Sequence, residues 1–210
     1  TLGALRNVSV ARARGEVLCH WDDDDWFHPD RVRAELAELS RTGAQALVLE
    51  DALLYFPAER TLHWSNWRAT EPKGLPGTLM FRRAAAVPYP DTGPEAFRGE
   101  DTTAITRMQG QGGYRAMAGA AHLYVYVCHA ANISGAAHLA MLARELAISR
   151  TLLARREAEL RERLRAFDFG PGAVTVCGYN GVAFTIEGTA AGGRKAPGGS
   201  SPRRVTMRSR

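Results

Sequence analysis

Four consecutive aspartates, Asp22 to Asp25, follow the apolar run Glu16-Val-Leu-Cys-His-Trp21 and form the densest patch of ionisable side chains in the chain. Carboxylates packed this closely raise one another's pKa, so the run calls for a counter-charge. In α/β sheets ligands collect at the carboxyl ends of strands, which is where this run is expected to lie. If strand geometry persists through it, the alternate residues Asp22 and Asp24 turn to one side. Two hard oxygen donors side by side suit magnesium or manganese holding a diphosphate. The competing reading is a solvated acidic loop that caps the next helix. An EF-hand loop is excluded, because Phe27 and Arg33 stand where its glycine and last glutamate belong. No Walker-type phosphate loop occurs.

Further groups could join that chemistry. Glu100 and Asp101 open a predicted short helix over 102–109, where a carboxylate either caps the helix or serves as general base toward a hydroxyl. His129 ends an apolar run, either as a hydrogen-bonded structural residue or as a ligand, more at home on manganese than on magnesium. His20 is expected to be structural and turned away from the acidic run. Trp64 and Trp67 offer flat aromatic faces on which a ligand could stack, or pack in the core, which is the expectation for Trp64.

The elements that must position these groups follow from pattern. A helix is predicted over 5–14, ended by Gly15, then a strand over 16–21. His28-Pro29-Asp30 starts a second helix with Val32, Leu36 and Leu39 on one face and Gly43 at its end. A strand over 45–49 and a hairpin of 53–56 with 61–64 come next. Strands are predicted over 78–81, 114–117 and 123–127. One long helix runs from Ala136 to about Phe167 on the three–four spacing of Leu139, Leu142, Leu146, Leu153, Leu160 and Leu164. Asn180-Gly181 marks a last hairpin, of 174–177 with 182–186. Alternating strands and helices indicate an α/β fold.

Together the segments Leu2-Gly-Ala-Leu-Arg-Asn7, Ala13-Arg-Gly-Glu16, His20-Trp-Asp-Asp-Asp-Asp-Trp26 and His28-Pro-Asp-Arg31 resemble the family 2 glycosyltransferases. Gly99-Glu-Asp-Thr102 and Tyr124-Val-Tyr-Val-Cys-His129, followed by Asn132, extend the resemblance over residues 1–135 in the family's order. It implies a GT-A fold, a Rossmann-like mixed sheet flanked by helices, and a nucleotide-sugar donor. Arg6, Asn7, Asp22 and Asp23 would hold the donor. Asp24 and Asp22, with His129, would hold manganese or magnesium. Asp101, beside Glu100, would be the base of an inverting transfer to a saccharide or lipid-linked acceptor. The family's opening strand and helix, which hold the nucleotide base, have no counterpart before the Arg-Asn segment, so the domain is expected to be incomplete at its amino end. The alternative is a catalytically inactive remnant or interaction module that binds no donor. A metal-dependent nucleotide hydrolase is disfavoured, since no distinct water-activating motif occurs.

Three units are expected: a partial GT-A domain over 1–135, a long helix plus β-hairpin over 136–187, and a disordered basic tail over 188–210. The 210 residues are 45% hydrophobic and carry a net charge of +5. That charge belongs to the tail, whose six basic side chains face no acid and leave the rest at −1. A nucleic-acid partner is therefore not expected, and contact with a membrane surface would be weak and confined to the tail. Three well-separated cysteines form no zinc or disulfide pattern, which points to a reducing cytoplasmic setting. The uncharged stretch 116–143 holds three histidines with Gly119, Asn132, Ser134 and Gly135, too polar for a membrane span.

Overall fold

The Thr1 hydroxyl accepts the Ala4 N–H (3.2 Å), a cap that starts the first helix at Leu2 rather than Leu5. In the computed structural model, residues 1–188 are described, so nearly all of the expected basic tail lies outside the described residues. Along the chain run α1 (Leu2–Arg12), β1 (Val17–Cys19), β2 (Trp26–Phe27), α2 (Arg31–Thr42), β3 (Ala46–Leu49), β4 (Asp51–Phe56), β5 (Thr61–Asn66) and β6 (Met80–Arg82). Then come α3 (Glu100–Gly110), β7 (Tyr114–Met117), β8 (Tyr124–Val127), α4 (Ala136–Glu145), α5 (Arg150–Arg155), α6 (Glu157–Leu164), β9 (Gly172–Gly178) and β10 (Gly181–Gly188).

These strands form two mixed sheets flanked by helices, a mixed α/β architecture. One sheet has the order β1-β6-β3-β7, the other β10-β9-β5-β4-β8-β2. The pairs β3–β7, β4–β8 and β5–β9 are parallel and the rest antiparallel. Only Glu50 separates β3 from β4, so the chain steps directly from one sheet into the other. On β3, Ala46 and Val48 meet α3 through Ala104, Ile105 and Met108, while Leu47 meets Leu39 of α2 on the opposite face. The second sheet buries Leu53, Leu62, Val125 and Val176 against Leu153, Leu160 and Leu164 of α5 and α6. Among the described residues no helix is long and apolar enough to cross a membrane.

Two expectations are corrected. The long helix over 136–167 is three helices. Leu146 and Ile148 leave the helical path to bond the end of β5, through Asn66 N–H to Leu146 O (2.8 Å) and Ile148 N–H to Trp64 O (3.1 Å). Ser149 then restarts the helix as an N-cap, accepting the Leu152 N–H at 3.2 Å. The leucine spacing marks buried positions across these breaks, which is why it imitates one helix. The C-terminal hairpin β9–β10 continues the second sheet beside β5.

The apolar face of α2 is rotated by one residue. Arg31, Glu35 and Leu39 are buried, whereas Val32 and Leu36 remain 44% and 40% exposed. Arg31 Nε donates to Glu35 Oε1 at 3.0 Å, and its guanidinium lies 4.8 Å from the Phe27 ring centre and 5.5 Å from those of Trp21 and Tyr124. Ion pairing together with three aromatic faces makes burial of this charge tolerable.

Candidate active site

Strand geometry stops at Cys19, and the aspartate run turns, with Asp25 N–H donating weakly to Asp22 O (3.4 Å). The expected strand alternation therefore does not arrange Asp22 and Asp24; each aspartate meets a different part of the fold. Asp22 is half-buried, with Arg6 Nη2 at 3.5 Å from its Oδ1. Asp23 is exposed and its side chain has no partner among the described residues. Asp24 is exposed, its Oδ2 3.2 Å from His129 Nε2. Asp25 is buried and accepts from the Tyr124 hydroxyl and from Val127 N–H (2.9 Å). Burial pushes its carboxyl up to about 6, against the pull of those two donors. Nothing in the spacing of the run singles out Asp25 for this latch to β8.

Arg6 joins distant segments. Its Nε donates to Glu100 Oε1 at 2.8 Å, so α1, the turn after β1 and the first turn of α3 meet across 94 residues of chain. Gly99 makes the turn into α3, at φ 85°, a left-handed backbone that side chains resist. Glu100 and Asp101 then lie in the first turn, where the helix dipole favours negative charge. Glu100 is buried against Arg6. Asp101 is half-buried and, among the described residues, accepts only from its neighbour Thr102, through the N–H (2.6 Å) and more weakly the hydroxyl (3.4 Å). Burial raises its pKa, the Glu100 charge adds to the rise, and Arg6 opposes it. Asp22 is likewise raised by burial, with Arg6 opposing and Asp24 adding.

A scaffold of neutral groups supports this cluster. Asn7 uses both ends of its amide on the Tyr89 backbone, donating to O and accepting from N–H at 2.9 Å each. His20 is buried between Pro76 O (3.2 Å from Nδ1) and the Tyr89 hydroxyl (2.7 Å from Nε2). Facing a carbonyl, Nδ1 must carry the proton, so Nε2 accepts from Tyr89. Burial and the nearby Arg6 lower its pKa to about 3 and keep it neutral. His20 is structural, as expected, but it is not turned away from Arg6: both line a cavity of about 260 Å³ with Cys19, Trp21 and Tyr89. The indole N–H groups of Trp64 and Trp67 donate to Asp51 and Ser65 at 2.9 Å, and both rings are buried, which removes them as a sugar platform.

Among the described residues, no three His, Cys, Asp or Glu side chains are gathered so as to hold a metal ion. His129 Nδ1 accepts the Ala131 N–H (3.2 Å), which leaves the proton on Nε2, directed at Asp24. Its Nε2 thus faces Asp24, with Asn132 Nδ2 3.4 Å from the same nitrogen. Asp22 Oδ2 and Asp24 Oδ1 have no protein partner among the described residues. Carboxylate oxygens of this kind are hard donors, the type that magnesium and manganese take. No family model matches the chain, and no curated protein matches it.

Proposed function

We propose that this site transfers a sugar from a nucleotide-sugar donor to an acceptor hydroxyl with inversion, on a GT-A type fold. The observation that carries the reading is the Arg6 bridge, which joins Asp22 to Glu100 beside Asp101. A half-buried carboxylate with a raised pKa and only a local donor suits a general base for a saccharide or lipid-linked hydroxyl. Such a group contributes about 10²- to 10⁴-fold in rate. Asp101 would take the proton, while Glu100 holds Arg6 and, through it, Asp22. Asp22 and Asp24 would hold a manganese or magnesium ion, with His129 fixing the Asp24 rotamer. That ion, when bound, stabilises charge on the departing diphosphate. Three free thiols, Cys19, Cys128 and Cys177, suit work in a reducing cytoplasmic compartment.

A thermal-shift series with uridine, guanosine and thymidine diphosphates, each with and without manganese, tests the reading. At a hundredfold excess over Kd, binding adds about 2.7 kcal/mol, or roughly 5–10 °C for a domain of this size. A manganese-dependent shift with one base, lost in Asp24→Asn, is expected. A cooperative melt that no nucleotide moves would overturn donor binding and favour an interaction module.

A further inference from the structure

Strand β7 is the edge of the first sheet opposite β1 and pairs only with β3 among the described residues. The carbonyls of Gly113 and Met117 point toward β3, where Gln45 and Glu50 N–H groups donate at 2.8 and 2.9 Å. By the period of a strand, Tyr114 and Ala116 hold their backbone N–H and C=O outward. Beside this open edge lies a cavity of about 600 Å³, lined by Arg68, Lys73 and Arg115 with Gln109, Tyr114 and a single carboxylate, Glu50. None of the three cations has an acidic partner within 4 Å among the described residues, although five other surface arginines do. Residues 189–210 contain no Asp or Glu, so their side chains cannot neutralise the three. Glu71 lies close enough to act on the Tyr114 hydroxyl, yet with it counted the region stays positive.

We propose that this edge receives an extended acidic segment of a partner protein, added as a strand beside β7 with its carboxylates toward Arg68, Lys73 and Arg115. Charge complementarity selects the sign of the partner, and the backbone selects its form. The outward carbonyls of Tyr114 and Ala116 need N–H donors, which a phosphate or a free carboxylate lacks and a peptide chain supplies. Addition to an exposed edge is an established mode of peptide recognition, in which main-chain bonds give affinity and side-chain contacts give specificity. The inference stands apart from the acidic site, which lies toward the β1 edge of the same sheet, and neither reading depends on the other.

The test uses the full chain and two dye-labelled synthetic peptides, one alternating glutamate with valine and one alternating lysine with valine, read by fluorescence anisotropy. The acidic peptide is expected to bind and the basic one not, with affinity falling as salt screens the cations. The triple variant Arg68→Glu, Lys73→Glu, Arg115→Glu, checked for fold by circular dichroism, should lose at least about tenfold for the acidic peptide. On the unaltered protein, hydrogen exchange at the Tyr114 and Ala116 amides should slow when the acidic peptide is present. Unchanged binding by the triple variant would overturn the proposal by placing the peptide elsewhere, the basic carboxyl-terminal segment included. Unprotected amides, or displacement of the peptide by equimolar inorganic phosphate, would overturn it by showing an anion site without strand pairing.

Discussion

Asp101 and Asp25 are both pushed toward protonation by burial, but their surroundings assign them different work. Asp25 is saturated by the Tyr124 hydroxyl and the Val127 N–H and anchors the acidic turn, whereas Asp101 keeps capacity to accept a further proton donor. Replacing Asp101→Asn should therefore lower the rate of sugar transfer by about 10²- to 10⁴-fold. The nucleotide-dependent thermal shift should remain, because Asn retains the local contact with Thr102; an unchanged kcat would remove Asp101 as base. For Asp25 the expected effect is on stability. Its folded pKa, about 6, lies above the ordinary value of 3.8, so its contribution is complete below pH 4 and lost as pH rises through 6. Asp25→Asn cannot ionise; its Oδ1 still accepts the Val127 N–H, while its Nδ2 donates to the Tyr124 hydroxyl oxygen. It should thus be more stable than the parent by about 2 kcal/mol at pH 8 and close to it at pH 4, by urea denaturation at each pH. A parallel offset at both pH values would show that ionisation of Asp25 costs nothing.

At the scale of elements, α2 carries a concentrated liability. Arg31 and Glu35 are almost wholly buried, yet share one hydrogen bond and leave Arg31 Nη1, Arg31 Nη2 and Glu35 Oε2 without partners among the described residues. Burial pushes the Glu35 carboxyl up to about 7, with Arg31 pulling it back. Exchanging the pair together, Arg31→Met with Glu35→Leu, should stabilise the chain by about 1–4 kcal/mol in urea denaturation, whereas Arg31→Met alone should cost about 3–5 kcal/mol. If both versions lose stability equally, the aromatic contacts of the guanidinium outweigh its desolvation. The same helix shows what sequence reveals. Its existence and its end at Gly43 are local matters, set by propensity and by a left-handed glycine at φ 68°, and so were legible. Which face it buries is decided by Trp21 and Phe27, stacked 3.9 Å apart beneath Arg31, and no spacing of apolar letters encodes that. Both hairpins were legible for the same local reason, while the breaks between α4, α5 and α6 follow from bonds to β5 made far along the chain. In the site, Asp22, Glu100 and Asp101 could be picked out as chemical groups, and Arg6 through the resemblance alone. Their pairing, and the latching of Asp25 to β8, are tertiary and were not.

At the scale of the whole molecule, the first sheet ends at β1 without a further strand among the described residues, and its flanking helices carry apolar side chains outward on both sides. Leu18 packs with α1 on one face, and Val17 and Cys19 pack with α2 on the other. Leu5 and Val8 of α1, Trp21, and Val32 and Leu36 of α2 are exposed. An edge strand is ordinarily guarded by charge, proline or a bulge, and Val17-Leu18-Cys19 has none of these. An uncharged edge flanked by exposed apolar side chains favours association, because contact removes hydrocarbon from water and pairs open backbone groups together. The chain alone is therefore expected to self-associate as its concentration rises, with the mass from light scattering increasing accordingly. Sulfate should strengthen this association, and sodium chloride should not dissolve it as it would a charge-driven contact. Val32→Lys with Leu36→Lys should return the chain toward a monomer at equal concentration. Both positions are already open to solvent, so the change should alter the melting temperature little. Association undiminished in that variant, and weakened instead by salt, would trace it to opposite charges such as the acidic turn and the basic carboxyl-terminal segment rather than to the β1 edge.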